Sequence, residues 1–453
     1  MRSEWSLAGS HRLGLAAIAM LGSLAALVLA AAPAAAAEKA IWGPLTLPGG
    51  GSALALYDEL GVDTLQLRLS WADVAPERPA VATDPDDGAY RWPAELAAAE
   101  AEAAGRAINL ALLVFGTPPW ANGSRSPLWA PQRPQDYADF LTAAARRYPS
   151  VHRWMIWGEP NRSDRFRPNR VDSAIGPRAY APLLDAAYVA LKRESPSNRV
   201  IGGMTWTGGT VKPASFLRMM RLANGRRPRL DWYGHNPFPF RFPTLSEPPI
   251  EGSGFRDISD SDTFSREIAG VYGRRVPLWL SEFTIQSDHG SSTFATFVSQ
   301  AAQARYVTAA WKLADDLGGA VAGIGWLSLL DDPPSKTSAN TGLLTHALQR
   351  KPAFAAFARA PAERLRPAVQ TAASTSRATL RSGGLAVRVT ARAGGVVVVE
   401  LRRGGRVLAS ARTSAASGSI KTLRLRSSAR AGRYVVAVRA ARGSTVTRPL
   451  LVR

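Results

Sequence analysis

The sequence predicts an α/β protein: a (β/α)8 TIM barrel followed by a small all-β domain, an immunoglobulin-like sandwich. Three observations predict it. Between residues 41 and 357, eight short β-type runs alternate with helical stretches, the mark of βα units around a parallel sheet. No G-x-G-x-x-G or Walker sequence follows any of these runs, as an open doubly wound sheet would usually carry after its first strand. Beyond residue 383 the apolar period changes to two, with Gly-Gly and Ala-Gly turns between short runs.

Residues 1–37 have the features of a secretory signal: Arg2 and Arg12, the apolar and small run Leu13–Ala32, then Ala35-Ala36-Ala37 as a small-residue cleavage site. The 20-residue run is also long enough for an uncleaved anchor, and either outcome exports the remainder of the chain. The barrel is expected over residues 38–360. Its candidate strands are Ile41–Leu47, Thr64–Leu69, Ala107–Phe115, His152–Trp157, Arg199–Met204, Asp231–His235, Val276–Glu282 and Ala320–Leu327. Helical stretches such as Pro93–Ala104, Gln135–Tyr148, Pro177–Glu194, Pro213–Ala223 and Thr293–Leu317 lie between them. Residues 361–382, rich in Pro, Ala, Ser, Thr and Arg, are expected as a linker. The sandwich is expected over 383–453, with runs at Leu385–Thr390, Val396–Leu401, Val407–Ala411, Ile420–Leu425, Tyr434–Arg439 and Val446–Val452.

Charge and composition exclude several functions. The chain has 453 residues, a formal charge of +21 and no cysteine. Disulfides, thiolate metal sites and a cysteine nucleophile are therefore excluded. Residues 371–453 hold sixteen Arg and Lys421 against Glu400 as the single acid, a net +16. Residues 1–37 add +1, so the region 38–370 carries only +4. A charge confined to one exported module, with Tyr434 as its one aromatic, argues against nucleic acid as partner. It fits either an anchor to an anionic cell-wall or surface polymer through residues 383–453, or a solvated outer face filled with Arg. Five His without paired ligand spacing argue against a catalytic metal, and no cofactor motif is present.

In such a barrel, chemistry sits at the C-terminal ends of the strands. The fourth run leads through Trp154-Met155-Ile156-Trp157-Gly158 to Glu159, and the seventh through Leu278-Trp279-Leu280-Ser281 to Glu282. The two strands face each other across a barrel, so both carboxylates point into one cleft. Two such groups can serve as acid/base and nucleophile in glycosidic cleavage. Structural ion pairing is the bland alternative for both.

At these residues the sequence resembles the clan A retaining glycoside hydrolases, families 39 and 5 above all. Trp157-Gly158-Glu159-Pro160-Asn161 resembles the clan's acid/base motif, and Glu282 matches its strand-7 nucleophile. The resemblance implies a retaining enzyme acting on O-glycosyl compounds, with Glu159 as acid/base and Glu282 as nucleophile. It also implies that Arg68 supports the nucleophile, that His235 follows the sixth strand, and that Trp326 floors the sugar subsite. Thr117-Pro118-Pro119-Trp120 resembles the loop after the third strand, and Trp120, like Trp326, presents a ring suited to stacking on a pyranose.

Two positions depart from the clan. Gly158 stands where an Asn would contact the sugar 2-hydroxyl, with Asn161 and Asn236 as candidate substitutes. In His235-Asn236-Pro237-Phe238, Phe238 stands where a Tyr would orient the nucleophile, and Tyr233 lies on the other side by parity. The expectation is a secreted, extracellular or surface-associated glycosidase that degrades a poly- or oligosaccharide with retention, with carbohydrate as its partner and no obligate protein partner. The alternative is a non-catalytic or weakly active carbohydrate-binding barrel at the cell surface.

Overall fold

A computed structural model describes residues 37–335, 337–443 and 445–453. The expected signal segment therefore lies, up to residue 36, outside the described residues. The barrel strands are β1 (Glu38–Trp42), β2 (Thr64–Ser70), β3 (Asn109–Phe115), β4 (Arg153–Ile156), β5 (Arg199–Trp206), β6 (Trp232–Asn236), β7 (Leu278–Phe283) and β8 (Val321–Leu327). All pairings are parallel, and the sheet closes in the order β1-β8-β7-β6-β5-β4-β3-β2. The helices that follow the strands are α1 (Leu54–Leu60), α2 (Ala94–Gly105), α3 (Pro134–Arg147), α4 (Ile175–Glu194), α5 (Pro213–Met219), α6 (Ser261–Tyr272), α7 (Gln300–Leu317) and α8 (Pro352–Arg359). Among the described residues no helix is long and apolar enough to cross a membrane.

Boundaries differ from the sequence expectation where capping decides them. The first strand ends at Trp42 instead of Leu47, because Pro44 and the Pro48-Gly49-Gly50-Gly51 turn cannot extend a ladder. Helix α7 starts at Gln300 instead of Thr293, since the Ser299 side chain caps it by accepting from Ala302 N at 3.2 Å. The intervening stretch is a loop closed by a two-residue ladder, Gln286–Ser287 with Phe297–Val298.

Alternate strand residues fill the barrel. Ala40, Trp42, Ala111, Leu113, Met155, Ile201, Met204 and Trp279 form the interior cluster, and Trp232 stacks on Trp279 with centroids 5.4 Å apart. Trp42 Nε1 and Gln66 Nε2 each donate to the Ser281 carbonyl at 2.9 Å, while Trp279 Nε1 donates to Gln66 Oε1. These bonds brace β7 one residue before Glu282. Gly325 is required beside them, since a Cβ there would lie 2.3 Å from Ser281 O. The opposite faces of the strands meet the helices in a continuous shell of Leu, Val, Ile and aromatic side chains.

Two bulges aim the strand ends. Between β7 and β8, Leu280 to Phe283 spans the same interval as Ile324 to Trp326, so Ser281 and Glu282 share one step. Strict alternation would leave Glu282 on the helix side with Leu280; the bulge turns it into the barrel mouth. Between β5 and β6, Gly202 to Thr205 matches Tyr233 to His235. There Met204 adopts a φ of 45° and turns inward.

The C-terminal region is a sandwich. One sheet holds β9 (Ala368–Thr371), β11 (Leu385–Thr390) and β14 (Ile420–Leu425); the other holds β10 (Ser374–Thr375), β12 (Gly395–Arg403), β13 (Arg406–Ala415), β15 (Gly432–Ala440) and β16 (Val446–Val452). Val387, Val389 and Leu425 of the first sheet share a core with Val397, Val399 and Val436 of the second. Residues 361–382 are not a linker, which corrects the sequence expectation. They contain β9, β10 and a helix, α9 (Arg377–Ser382), whose Leu380 is buried in the sandwich core. Strands of four and two residues are too short to display a period, so composition hid them.

The join to the barrel is polar and buried. Asp63, just before β2, accepts from Lys39 N at 2.8 Å, Glu363 N at 2.7 Å and Arg364 N at 2.8 Å. The Arg364 guanidinium donates to Val62 O and Asp58, and Arg442 of the sandwich donates to Ala358 O and Glu59 O.

Candidate active site

The strand ends surround a cleft of about 680 Å³ lined by Arg68, Glu159, Arg162, Arg165, Trp206 and Glu282, among apolar side chains that include Leu113, Phe115, Phe238 and Leu327. Glu159 follows β4 in a strained turn: Trp157 and Glu159 take φ values of 62° and 50°. Left-handed backbone at non-glycine residues costs about 1–3 kcal/mol each and collects at functional sites. Hydrogen bonds hold it, from Trp157 N to Val114 O at 2.9 Å and from Glu159 N to Met204 O at 3.0 Å. The β5 bulge that turns Met204 is thus also the support of Glu159.

The Glu159 carboxylate is fully engaged. Its Oε1 accepts from Asn236 Nδ2 at 3.1 Å and its Oε2 from Arg162 Nη1 at 2.8 Å, with Arg165 Nε at 3.8 Å. Arg162 also pairs with Asp164 at 2.7 Å. Glu282 is buried, and burial, followed by the charge of Glu159, pushes its carboxyl up to about 8; Arg68, Arg165 and Arg162 oppose that rise.

Of the residues expected from the sequence, Glu159, Glu282 and Arg68 come together in the cleft; the other four do not. Asn161 is buried, and its Nδ2 donates to Trp206 O and Val211 O at 3.0 Å while its Oδ1 accepts from Trp206 N at 2.8 Å. It braces the loop after β5 and has no free donor for a sugar. His235 points to the helix side, where Nδ1 pairs with Thr205 Oγ1 at 2.9 Å, Nε2 with Arg256 O at 2.8 Å, and the ring meets Phe264 edge-on. Burial lowers its imidazole to about 4, so the ring is neutral. Trp326 is likewise buried on the helix side, donating to Thr341 O at 3.0 Å, and Leu327 takes the cleft position. Trp120 donates to Ala75 O at 2.8 Å and packs edge-on to Trp71, away from the cleft lining.

The signal for two of these corrections was in the sequence. Period two places Tyr233 and His235 on one side of β6 and Asn236 on the other, and it separates Trp326 from Leu327 in the same way. Asn236 is indeed the residue that reaches Glu159. Arg162, three residues after Glu159, sits at the spacing of a helical turn. The two departures acquire a structure as well. A Cβ on Gly158 would lie 3.2 Å from Leu113 Cδ2, so Leu113 fills the space beside it. Phe238 stacks on Phe294 at 5.3 Å, closing the β6 loop against the loop after β7. Among the described residues no three His, Asp or Glu side chains converge as metal ligands do.

These features define a class: a (β/α)8 barrel with a carboxylate pair at the ends of its fourth and seventh strands. Solved glycosidases are similar in fold. A family 39 glycoside hydrolase from the gut symbiont Bacteroides cellulosilyticus WH2 is 17% identical with a TM-score of 0.53, over 86% of this chain and 81% of that one. A glucosidase from Croceicoccus marinus is 13% identical with a TM-score of 0.52, over 87% of this chain and 95% of that one. At these identities the likeness is one of fold, and at that level the resemblance to a family 39 enzyme stands. No protein-family model matches the sequence, and no curated protein is similar to it.

Proposed function

We propose that this chain is a glycoside hydrolase that cleaves an O-glycosidic bond of an oligo- or polysaccharide with retention of configuration. The observation that carries the proposal is the meeting of Glu159 and Glu282 in one cleft at the mouth of the barrel. Glu159 protonates the leaving oxygen while Glu282 attacks the anomeric carbon and forms a glycosyl ester. Glu159 then deprotonates water, which releases the sugar. Attack needs Glu282 as carboxylate and the proton on Glu159. Arg68, which opposes the rise of the Glu282 carboxyl, and the positive charge developing on the sugar ring favour that arrangement.

Hydrolysis of aryl β-glycosides tests the proposal. Glu282→Gln is expected to lower kcat by roughly 10³-fold or more, since it removes the nucleophile. Proton NMR of the first product is expected to show the β anomer. An equal rate in wild type and Glu282→Gln would sink the role of Glu282, and an inverted first product would sink retention.

The leader over residues 1–37 supports export of the chain. The outer faces of the sandwich support attachment to an anionic surface polymer. Arg388 and Arg424 are exposed on one sheet, and Arg412 and Arg439 flank Val398 on the other. Glu400, the one acid in this region, is already paired with Arg402.

A further inference from the structure

Arg162 stands three residues after Glu159, and its amide donates to the Glu159 carbonyl at 3.0 Å, closing one turn. That turn is tied down on both sides of Arg162. The Asn161 side chain fixes it to the backbone of Trp206, and the Ser163 amide donates to Thr210 Oγ1 at 2.9 Å. The Arg162 side chain therefore leaves a backbone that is already set.

Its guanidinium is gripped along one edge and across one face. Nε and Nη2 donate to the two Asp164 oxygens at 3.0 and 2.7 Å, and Cζ stands 4.9 Å from the centre of the Trp206 ring. These hydrogen bonds hold the Asp164 carboxyl below the ordinary carboxylate range. The remaining nitrogen, Nη1, donates to Glu159 Oε2 at 2.8 Å. A planar fork held in this way has its last donor aimed before any substrate arrives; a lysine ammonium has no second edge to be held by. Asn236 Nδ2 reaches the other Glu159 oxygen at 3.1 Å from β6, so two separate elements fix the carboxyl. As Glu159 passes its proton to a leaving oxygen, it gains negative charge. A donor already aimed at that charge stabilises it without reorganising. The demand grows with the basicity of the leaving oxygen, because a poor leaving group needs more of the proton in the transition state.

We propose that Arg162, set by Asp164 and Trp206, is a positioning residue that acts through Glu159: it aims the acid and receives the charge the acid acquires. The inference rests on the glycosidase reading. The intact chain is assayed with 2,4-dinitrophenyl, 4-nitrophenyl and phenyl β-glycosides of glucose, xylose, galactose and glucuronic acid. Arg162→Met is expected to lower kcat/KM about threefold for the dinitrophenyl glycoside and about a hundredfold for the phenyl glycoside. Arg162→Lys, which keeps the charge, is expected to recover about tenfold of the phenyl loss. Asp164, whose side chain is 60% exposed, can be removed without disturbing the core. Asp164→Ala is expected to melt with the wild type and to show the same trend over a smaller span, and it carries the test alone where Arg162→Met melts low. An equal loss across the three leaving groups, or no loss, overturns the role and leaves the glycosidase reading standing, since a merely structural residue does not distinguish leaving groups. A phenyl glycoside cleaved faster by Arg162→Met than by wild type also overturns it, by making the contact an inhibitory one. No turnover of any panel member by the wild type overturns the glycosidase reading itself, and this role with it.

Discussion

Burial and the charge of Glu159 push the Glu282 carboxyl up to about 8, and that position has a thermodynamic consequence. An unfolded Glu titrates near about 4.3, so the folded state binds the proton more tightly. The resulting stability is fully present below the unfolded value and is lost as pH rises through about 8. Glu282→Gln, which cannot ionise, is therefore expected to melt close to wild type at pH 5. At pH 9 it should melt higher by roughly 5 °C, the equivalent of a few kcal/mol in a chain of this size. A differential scanning series across pH checks this, and a variant that melts lower at both pH values would contradict it. Activity is expected to fall on the alkaline side as the last proton leaves the pair.

Asn161 shows how an element decides what a residue does. The E-P-N triplet suggests a sugar contact, yet the Asn161 side chain ties the loop after β5 to the turn after β4. Asn161→Ala would leave the buried amide of Trp206 and two carbonyls unpaired, at about 1–3 kcal/mol for each stranded group. The expected outcome is a melting temperature lower by several degrees, with KM for a one-ring glycoside nearly unchanged. A raised KM at an unchanged melting temperature would restore the sugar contact. At this scale the barrel strands are legible as short apolar runs between helical stretches, and the sandwich strands by their period of two. Of the four positions whose roles differ from expectation, His235 and Trp326 are those where a period of two must be carried to the strand's last residues. Glu282 reaches the cleft by a bulge, which depends on Gly325 and on Trp42 and Gln66 across the barrel. No local pattern announces that.

The whole molecule couples a nearly neutral barrel to a strongly basic sandwich, and Asp63 is the hinge of their contact. Asp63→Ala strands three backbone amides from two domains, at about 3 kcal/mol or more in total. It is expected to separate the two unfolding transitions in calorimetry; a single unshifted transition would count against the coupling. Replacing Arg388, Arg412, Arg424 and Arg439 by Gln is expected to weaken salt-sensitive retention of the intact chain on an immobilised anionic polysaccharide. Unchanged retention would leave those faces as solvated surface. The sequence by itself determined the barrel and the basic sandwich, because period and composition are local properties that survive without a fold, and the motif resemblance singled out the two glutamates and Arg68. Tertiary structure alone decided that residues 361–382 belong to the sandwich and that Asn161 and Trp120 are bracing residues. It brought the Arg162 and Asn236 side chains within hydrogen-bond distance of Glu159. The physical reason is the same throughout: bulges, strained turns and buried hydrogen bonds are set by partners far along the chain, and only the closed barrel brings those partners within reach.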